Sequence, residues 1–227
     1  LYASHFILLP DGSGTELQLV NAGSAPVSVV FTAIDGSQRS FTSQGLILEP
    51  GEMLKGGITE FIPLDPGELG STGLLTGTIK AEVTSTGTGS VIPRVLGGIT
   101  LNGSPANSAA LPMETEGWTK TVFPHIAQSL DLQIFTGLAI WNITGSYCNV
   151  VVRARDQAGQ ITAAKNFSLA PNTRRVGLLN EDFYFGSQYS QVGGHLEIES
   201  SREVICFCLY GDFAMVYLST IGGQKVD

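Results

Sequence analysis

The chain has 227 residues, 43% of them hydrophobic and only 14% charged, enough apolar material to bury a core and too much for a disordered tail. Its net charge of −8, without any cluster of Lys or Arg, argues against nucleic acid and anionic membrane surfaces as partners. The 28 glycines, with many Ser and Thr, point to strands and turns, and the longest apolar runs, such as residues 204–210, are too short to insert across a bilayer.

Period-two alternation predicts strands at residues 5–9, 15–21, 27–34, 39–48, 52–58, 78–85, 90–96 and 108–113. Turn signals separate them at Asp11-Gly12-Ser13-Gly14, Ala22-Gly23-Ser24, Asp35-Gly36-Ser37 and Pro50-Gly51. The strands then resume at 120–126, 133–142, 148–156, 160–169, 174–179, 195–200, 203–210 and 213–220. No helix of crossover length is visible between them, so the sheets are expected to be antiparallel.

The second series repeats the first. A shift of 121 residues lays Leu17-Gln18-Leu19-Val20-Asn21 on Leu138-Ala139-Ile140-Trp141-Asn142, and Val27, Val29, Phe31 and Ala33 on Cys148, Val150, Val152 and Ala154. Asp35 meets Asp156, Leu48 meets Leu169 and Pro50 meets Pro171. Phe6 meets Phe123 once four extra residues are allowed in the second copy. The expectation is an all-β chain of two tandem antiparallel β-sandwich domains, 1–114 and 115–227, each of about 110 residues and immunoglobulin-like or related. The junction falls at residues 112–119, with Gly117 as its pivot. The alternation further predicts that the eight matched positions of the third strand are buried, with Ser28, Thr32, Asn149 and Arg153 facing out.

These motifs resemble a β-sandwich module found in tandem in secreted and surface proteins of environmental bacteria. The residues that carry the resemblance are Phe123-Pro124-His125-Ile126-Ala127, the strands ending at Asn21 and Asn142, Asp156–Gly159, and Leu48-Glu49-Pro50-Gly51. The first copy departs from the opening motif, reading Phe6-Ile7-Leu8-Leu9-Pro10. The resemblance implies a non-catalytic part of a larger exported protein, and says little about activity.

The chemistry-bearing residues are few. Three cysteines make no disulfide framework. Cys148 stands 58 residues before Cys206, a spacing that suits an inter-sheet bridge, but the first copy has no matching cysteine and buried free thiols are the simpler reading. Whether Cys148 pairs with Cys206 or Cys208 stays open. His195, Glu197 and Glu199 alternate on one strand face, as metal ligands would, yet the first copy carries Lys80, Glu82 and Thr84 in that strand, so an exposed polar face is expected. His125 reads as structural. No nucleophile elbow, calcium loop or phosphate cradle occurs.

The segment Asp182-Phe183-Tyr184-Phe185-Gly186-Ser187-Gln188-Tyr189 reads in two ways. It is a plug for the open end of the sandwich, as the apolar residues 59–64 of the first copy suggest, or a stacking platform for a sugar or a protein. Tyr184, Phe185 and Tyr189 are the candidate binding residues, joined by Trp118 near the junction; Trp141 reads as core or sheet surface. The functional expectation is a non-catalytic structural, adhesive or assembly module, extracellular or on the cell surface, needing no cofactor or metal. The alternative is a carbohydrate-binding accessory module that uses these aromatics. Other proteins and extracellular glycans are the partners considered, and the oligomeric state is left open.

Overall fold

The computed structural model describes residues 1–65, 73–86, 92–102, 107–214 and 216–226. Contacts divide the chain into two compact units, one of Leu1–Asn102 with Ala110–Thr115, the other of Gly103–Ala109 with Glu116–Asp227. Both are built of antiparallel sheets. No helix among the described residues is long and apolar enough to cross a membrane.

The first unit holds β1 (Tyr2–Leu8), β2 (Thr15–Asn21), β3 (Val27–Asp35), β4 (Ser40–Thr42), β5 (Leu46–Leu48), β6 (Met53–Gly57), β7 (Leu75–Ser85), β8 (Val95–Asn102) and, from Ala110 on, β9 (Ser108–Pro112), with one helical turn, α1 (Ile58–Phe61), after β6. One sheet runs β1-β7-β3-β4, with β5 also paired to β3; the other runs β6-β2-β8-β9. Strict alternation sets the inward faces: Val27, Val29, Phe31 and Ala33 are at most 1% exposed, while Ser28 and Thr32 between them are half-buried. Leu17 and Leu19 do the same for β2.

Where residues 39–48 read as one strand, the structure breaks it in two. Ser43 interrupts the ladder: its amide donates to the Phe31 carbonyl, and its own hydroxyl accepts from the Phe31 amide, both at 2.9 Å. A side chain thus replaces a backbone carbonyl, and the edge strand kinks there. The strand expected at 90–96 begins later, at Val95, and runs through Gly97-Gly98 to Asn102; Ser90 and Val91 lie outside the described residues.

Gly77 in β7 stands under the Phe6 ring. A Cβ there would collide with that ring and with the Ile34 carbonyl oxygen, so only glycine lets the two strands and the ring close. Gly77→Ala is expected to destabilise the first unit by about 2–3 kcal/mol, the usual cost of forcing atoms into a packed site, read as a fall in the urea midpoint by circular dichroism.

The second unit contains β10 (Trp118–Phe123), β11 (Ala127–Gln128), β12 (Ile134–Asn142), β13 (Cys148–Arg155), β14 (Ile161–Leu169), β15 (Arg174–Leu178), β16 (Gln191–Val192), β17 (His195–Asp212), β18 (Leu218–Gly222) and β19 (Gln224–Lys225). The two strands expected at 195–200 and 203–210 are one, β17, of 18 residues. Its first part pairs with β10 and β13, its second with β12 and β18, and the exposed Ser201-Arg202-Glu203 mark where it passes from one layer to the other. Strands β14-β13-β17-β10-β19 form one layer; β15, β12 and β18 join the far half of β17 in the other. Cys148, Val150, Val152 and Ala154 are at most 1% exposed and face Leu138, Ile140, Cys206 and Cys208 across a continuous core. All three cysteines are buried free thiols, and burial pushes the Cys208 thiol well up. Gly117, the expected pivot, passes so close to Glu203 and Ile143 that a side chain would crowd both.

Each unit carries the same two polar fixtures. Buried Asn21 closes β2: its amide donates to the carbonyls of Ala25 and Leu48 at 2.9 and 3.0 Å, and its oxygen accepts from the Gly23 amide at 3.0 Å. Buried Asn142 closes β12 likewise, donating to Ser146 and Ala170 at 2.8 and 2.9 Å and accepting from the Thr144 amide at 3.0 Å. The turn after β3 is held by Asp35, which accepts from the Ser37 and Arg39 amides at 2.9 and 2.8 Å; Asp156 accepts from Ala158 and Gln160 at 2.9 and 2.8 Å.

Asp35 also receives the Arg39 Nε at 2.6 Å, with its side chain fully shielded from solvent. Burial pushes its pKa up, but the Arg39 guanidinium and the two amides outweigh that and hold it below the ordinary 3.8. The unfolded chain therefore takes up a proton on acidification before the folded one does. The stabilisation is complete above the ordinary value and is lost as pH falls through the lowered folded one. Asp35→Asn is expected to lower the urea midpoint at neutral pH and to flatten its decline in acid; an unchanged acid decline would remove Asp35 from the account.

Candidate functional site

The aromatic segment leaves β15 and crosses the open side of the second unit, between the edge of β14 and the edge of β15. It folds on itself through short bonds: Leu178 N to Glu181 Oε1, Phe185 N to Leu179 O and Gly186 N to Glu181 O, all at 3.0 Å. Gly186, at φ 92°, makes the turn that returns the chain to Tyr189.

Two cations clamp the segment to the sheets. Lys165 of β14 donates to the Asp182 carbonyl at 2.8 Å, and Arg175 of β15 donates to the Phe183 carbonyl at 3.0 Å. The Arg175 guanidinium lies 3.8 Å over the Phe167 ring, stacking as well as bonding. Lys165 shares a face with the inward-leaning Ala163 and Phe167, so its charge also guards the free edge of β14 against adding a strand.

The candidate residues occupy three different environments. Tyr184 is 1% exposed; its hydroxyl donates to the Leu138 carbonyl at 3.1 Å, and burial raises its pKa well above the usual. Its ring packs with Phe183 at 5.2 Å and Phe167 at 6.2 Å, so both faces are occupied by the protein itself. Phe185 and Tyr189 are half-buried and lie against each other at 4.7 Å. The Tyr189 hydroxyl donates to Gln191 Oε1 at 3.1 Å, and burial raises its pKa. Trp118 stands elsewhere. It is level with Val204, beside the Asn142 end of β12, whereas the segment begins at Leu178, level with Gly137. Five residues of strand separate those levels, roughly 17 Å. Its indole donates to Glu116 at 3.3 Å, and the Trp141 indole, 2% exposed, donates to the Asn172 carbonyl at 3.3 Å.

Beside Tyr189 lies a cavity of about 160 Å³ lined by Leu130, Asp131, Ser187, Gln188, Tyr189 and Ser190. Leu130 and Asp131 belong to the tight turn between β11 and β12, where Gln133 takes φ 55° and donates its amide to the Leu130 carbonyl at 3.1 Å. No reading of the sequence singled out this turn. Its signal is the pair of leucines in Leu130-Asp131-Leu132, which the structure leaves 48% and 63% exposed where a turn needs no apolar side chain.

The polar face of β17 is tied down. Arg155 Nε pairs with Glu197 at 2.8 Å and Arg153 with Glu199 at 2.6 Å, while His195 lies 3.6 Å from Glu197. Burial pushes Glu197 up, yet the bonds and charge of Arg155, helped by His195, hold its carboxyl below the ordinary value. A carboxylate held ionised by a guanidinium is a poor proton donor. The expected first-copy counterparts Lys80 and Glu82 pair with each other at 2.8 Å. His125 places its ring 5.6 Å from Tyr210, whose hydroxyl donates to the His125 carbonyl at 2.8 Å. Among the described residues no group of three or more His, Cys, Asp or Glu is disposed to hold a metal.

No protein-family model matches the chain, and no curated protein or solved structure is significantly similar to it.

Proposed function

We propose that this chain is a non-catalytic structural or adhesive module of an exported bacterial protein, built as two copies of one immunoglobulin-like sandwich. What carries the reading is the fate of the polar groups. Glu197, Glu199, Arg153, Arg155, Asp35, Asp156, Asn21 and Asn142 are bonded into turns, strand ends and a cross-strand ladder. General acid–base work needs a group whose proton is free to move and whose pKa is drawn toward neutrality. On the polar face of β17, Glu197 is drawn the other way.

Two copies of one module account for the matched fixtures. Asn21 and Asn142, Asp35 and Asp156, and their bonding partners Leu48 and Leu169 all stand 121 residues apart. Residues 58–64 of the first unit, with Ile58, Ile62 and Leu64 buried and Phe61 packed 6.1 Å from Phe31, do there what the aromatic segment does in the second. Export is supported by the low charge and the abundance of Gly, Ser and Thr.

A second reading, carbohydrate binding, is favoured by one observation: Phe185 and Tyr189, unlike Tyr184, are only half-buried, and Tyr189 lines a polar cavity. The leading reading is tested by incubating the purified chain with soluble polysaccharides, nitrophenyl esters and casein. No turnover above the buffer rate is expected. Turnover that His195→Ala or Glu197→Gln abolishes would replace the module with an enzyme.

A further inference from the structure

We infer that the cavity between the Leu130-Asp131 turn and residues 187–190 binds a single neutral sugar ring. The inference rests on the reading of the chain as a non-catalytic module that works through its surface, and gives that surface one ligand.

Three side chains lining the cavity, Asp131, Ser187 and Gln188, make no hydrogen bond or ion pair with any described residue. Several like groups of the same unit are in use: Asp156 and Asp212 accept backbone amides, Gln191 bonds Arg155 and Gly193, and Ser200 and Ser201 bond backbone groups. The exposed Asp182 and Gln157 side chains are unbonded too, so what sets the three apart is their convergence on one cavity. Convergence of unpaired donors and acceptors on one concave surface is the arrangement that fixes a polar ligand. Tyr189 supplies the apolar wall, its ring braced from behind by Phe185 at 4.7 Å and its hydroxyl anchored on Gln191. Leu130 and Leu132 form an exposed apolar rim on the turn.

The class of ligand follows from size and charge. At about 160 Å³ the cavity is roughly half the smallest of the ~300–1,000 Å³ pockets that hold drug-sized molecules, so it takes one ring and not an extended chain. The lining holds no cation, and the protein carries a net charge of −8, which disfavours anions. Asp131 is the only carboxylate in the lining, too little for a hard cation that wants six or more oxygens. What fits is a small neutral ring with hydroxyls at its edge for Asp131, Ser187 and Gln188, and C–H groups on one face for Tyr189.

The test is a titration of the isotope-labelled full chain, followed by amide chemical shifts, with methyl β-D-glucopyranoside, methyl β-D-galactopyranoside, methyl α-D-mannopyranoside and N-acetylglucosamine. At least one sugar is expected to shift the amides of Leu130, Asp131 and residues 187–190 saturably. Asp131→Ala and Gln188→Ala should each weaken that binding about tenfold with the unfolding midpoint unchanged, because each removes one bond at an exposed site. No saturable shift with any of the four sugars, or saturable shifts that map elsewhere, overturns the inference and leaves the non-catalytic reading standing. Binding at the cavity accompanied by hydrolysis of the glycoside does the reverse.

Discussion

Tyr184→Ala should cost the second unit about 3–5 kcal/mol, the range for truncating a large buried aromatic. The ring is among the largest fully buried side chains of the chain, and it fills the space between β12, β15 and β14 that the sheets leave open. Its loss leaves a cavity under Phe167 and Phe183, and frees the clamp that Arg175 makes over them. Tyr184→Phe keeps the volume and removes only the bond to Leu138, so it should cost about 1 kcal/mol. Both tryptophans, Trp118 and Trp141, belong to the second unit, so tryptophan fluorescence in urea reads this unit directly. Equal small effects for the two variants would mean that the segment is a mobile surface loop and not the closure of the sandwich.

Asn142→Ala should be nearly as severe, about 3–4 kcal/mol. The side chain is fully buried and ties the end of β12 in one layer to Leu169 and Ala170 at the end of β14 in the other. Three bonds go with it, at about 1 kcal/mol each; the Thr144 amide is left bare inside the fold, while the Ser146 and Ala170 carbonyls keep only the local donors Thr144 Oγ1 and Thr173. Asn142→Asp should be no rescue, because a carboxylate has no donor for the two carbonyls. The fluorescence midpoint in urea checks both, and a loss below that of Tyr184→Phe would show that water replaces the side chain without cost.

Alternation made the inner strands legible. In β2, β3 and β13 the apolar residues fall on every second position because one face is wholly buried and the other is not, and nothing else competes with that period. Asn21 and Asn142 were readable as strand ends, though not as ties between layers, since their partners lie 27 and 28 residues away. Local composition misled where tertiary context decides. Ser201-Arg202-Glu203 has the character of a turn, yet a corner between layers also exposes polar residues without breaking the ladder. Gly97-Gly98 reads as a strand breaker, yet both lie within β8, where Leu1 and Met113 pack close against Gly97. Of the site, the aromatic segment stood out by composition, but which rings turn inward depends on the turn at Gly186. The Leu130-Asp131 turn comes into range of that segment only through the fold.

The carboxylates on the face of β17 are consumed by the fold, and Glu197 is the group on which that is most exposed. Its titration, followed by the carboxyl carbon resonance of labelled protein, should fall below the ordinary Glu value of 4.5, and should rise toward it when Arg155 is replaced by Gln. A midpoint at or above the ordinary value in the unmodified chain would contradict the account, leaving on the face of β17 a carboxyl free to give and take a proton.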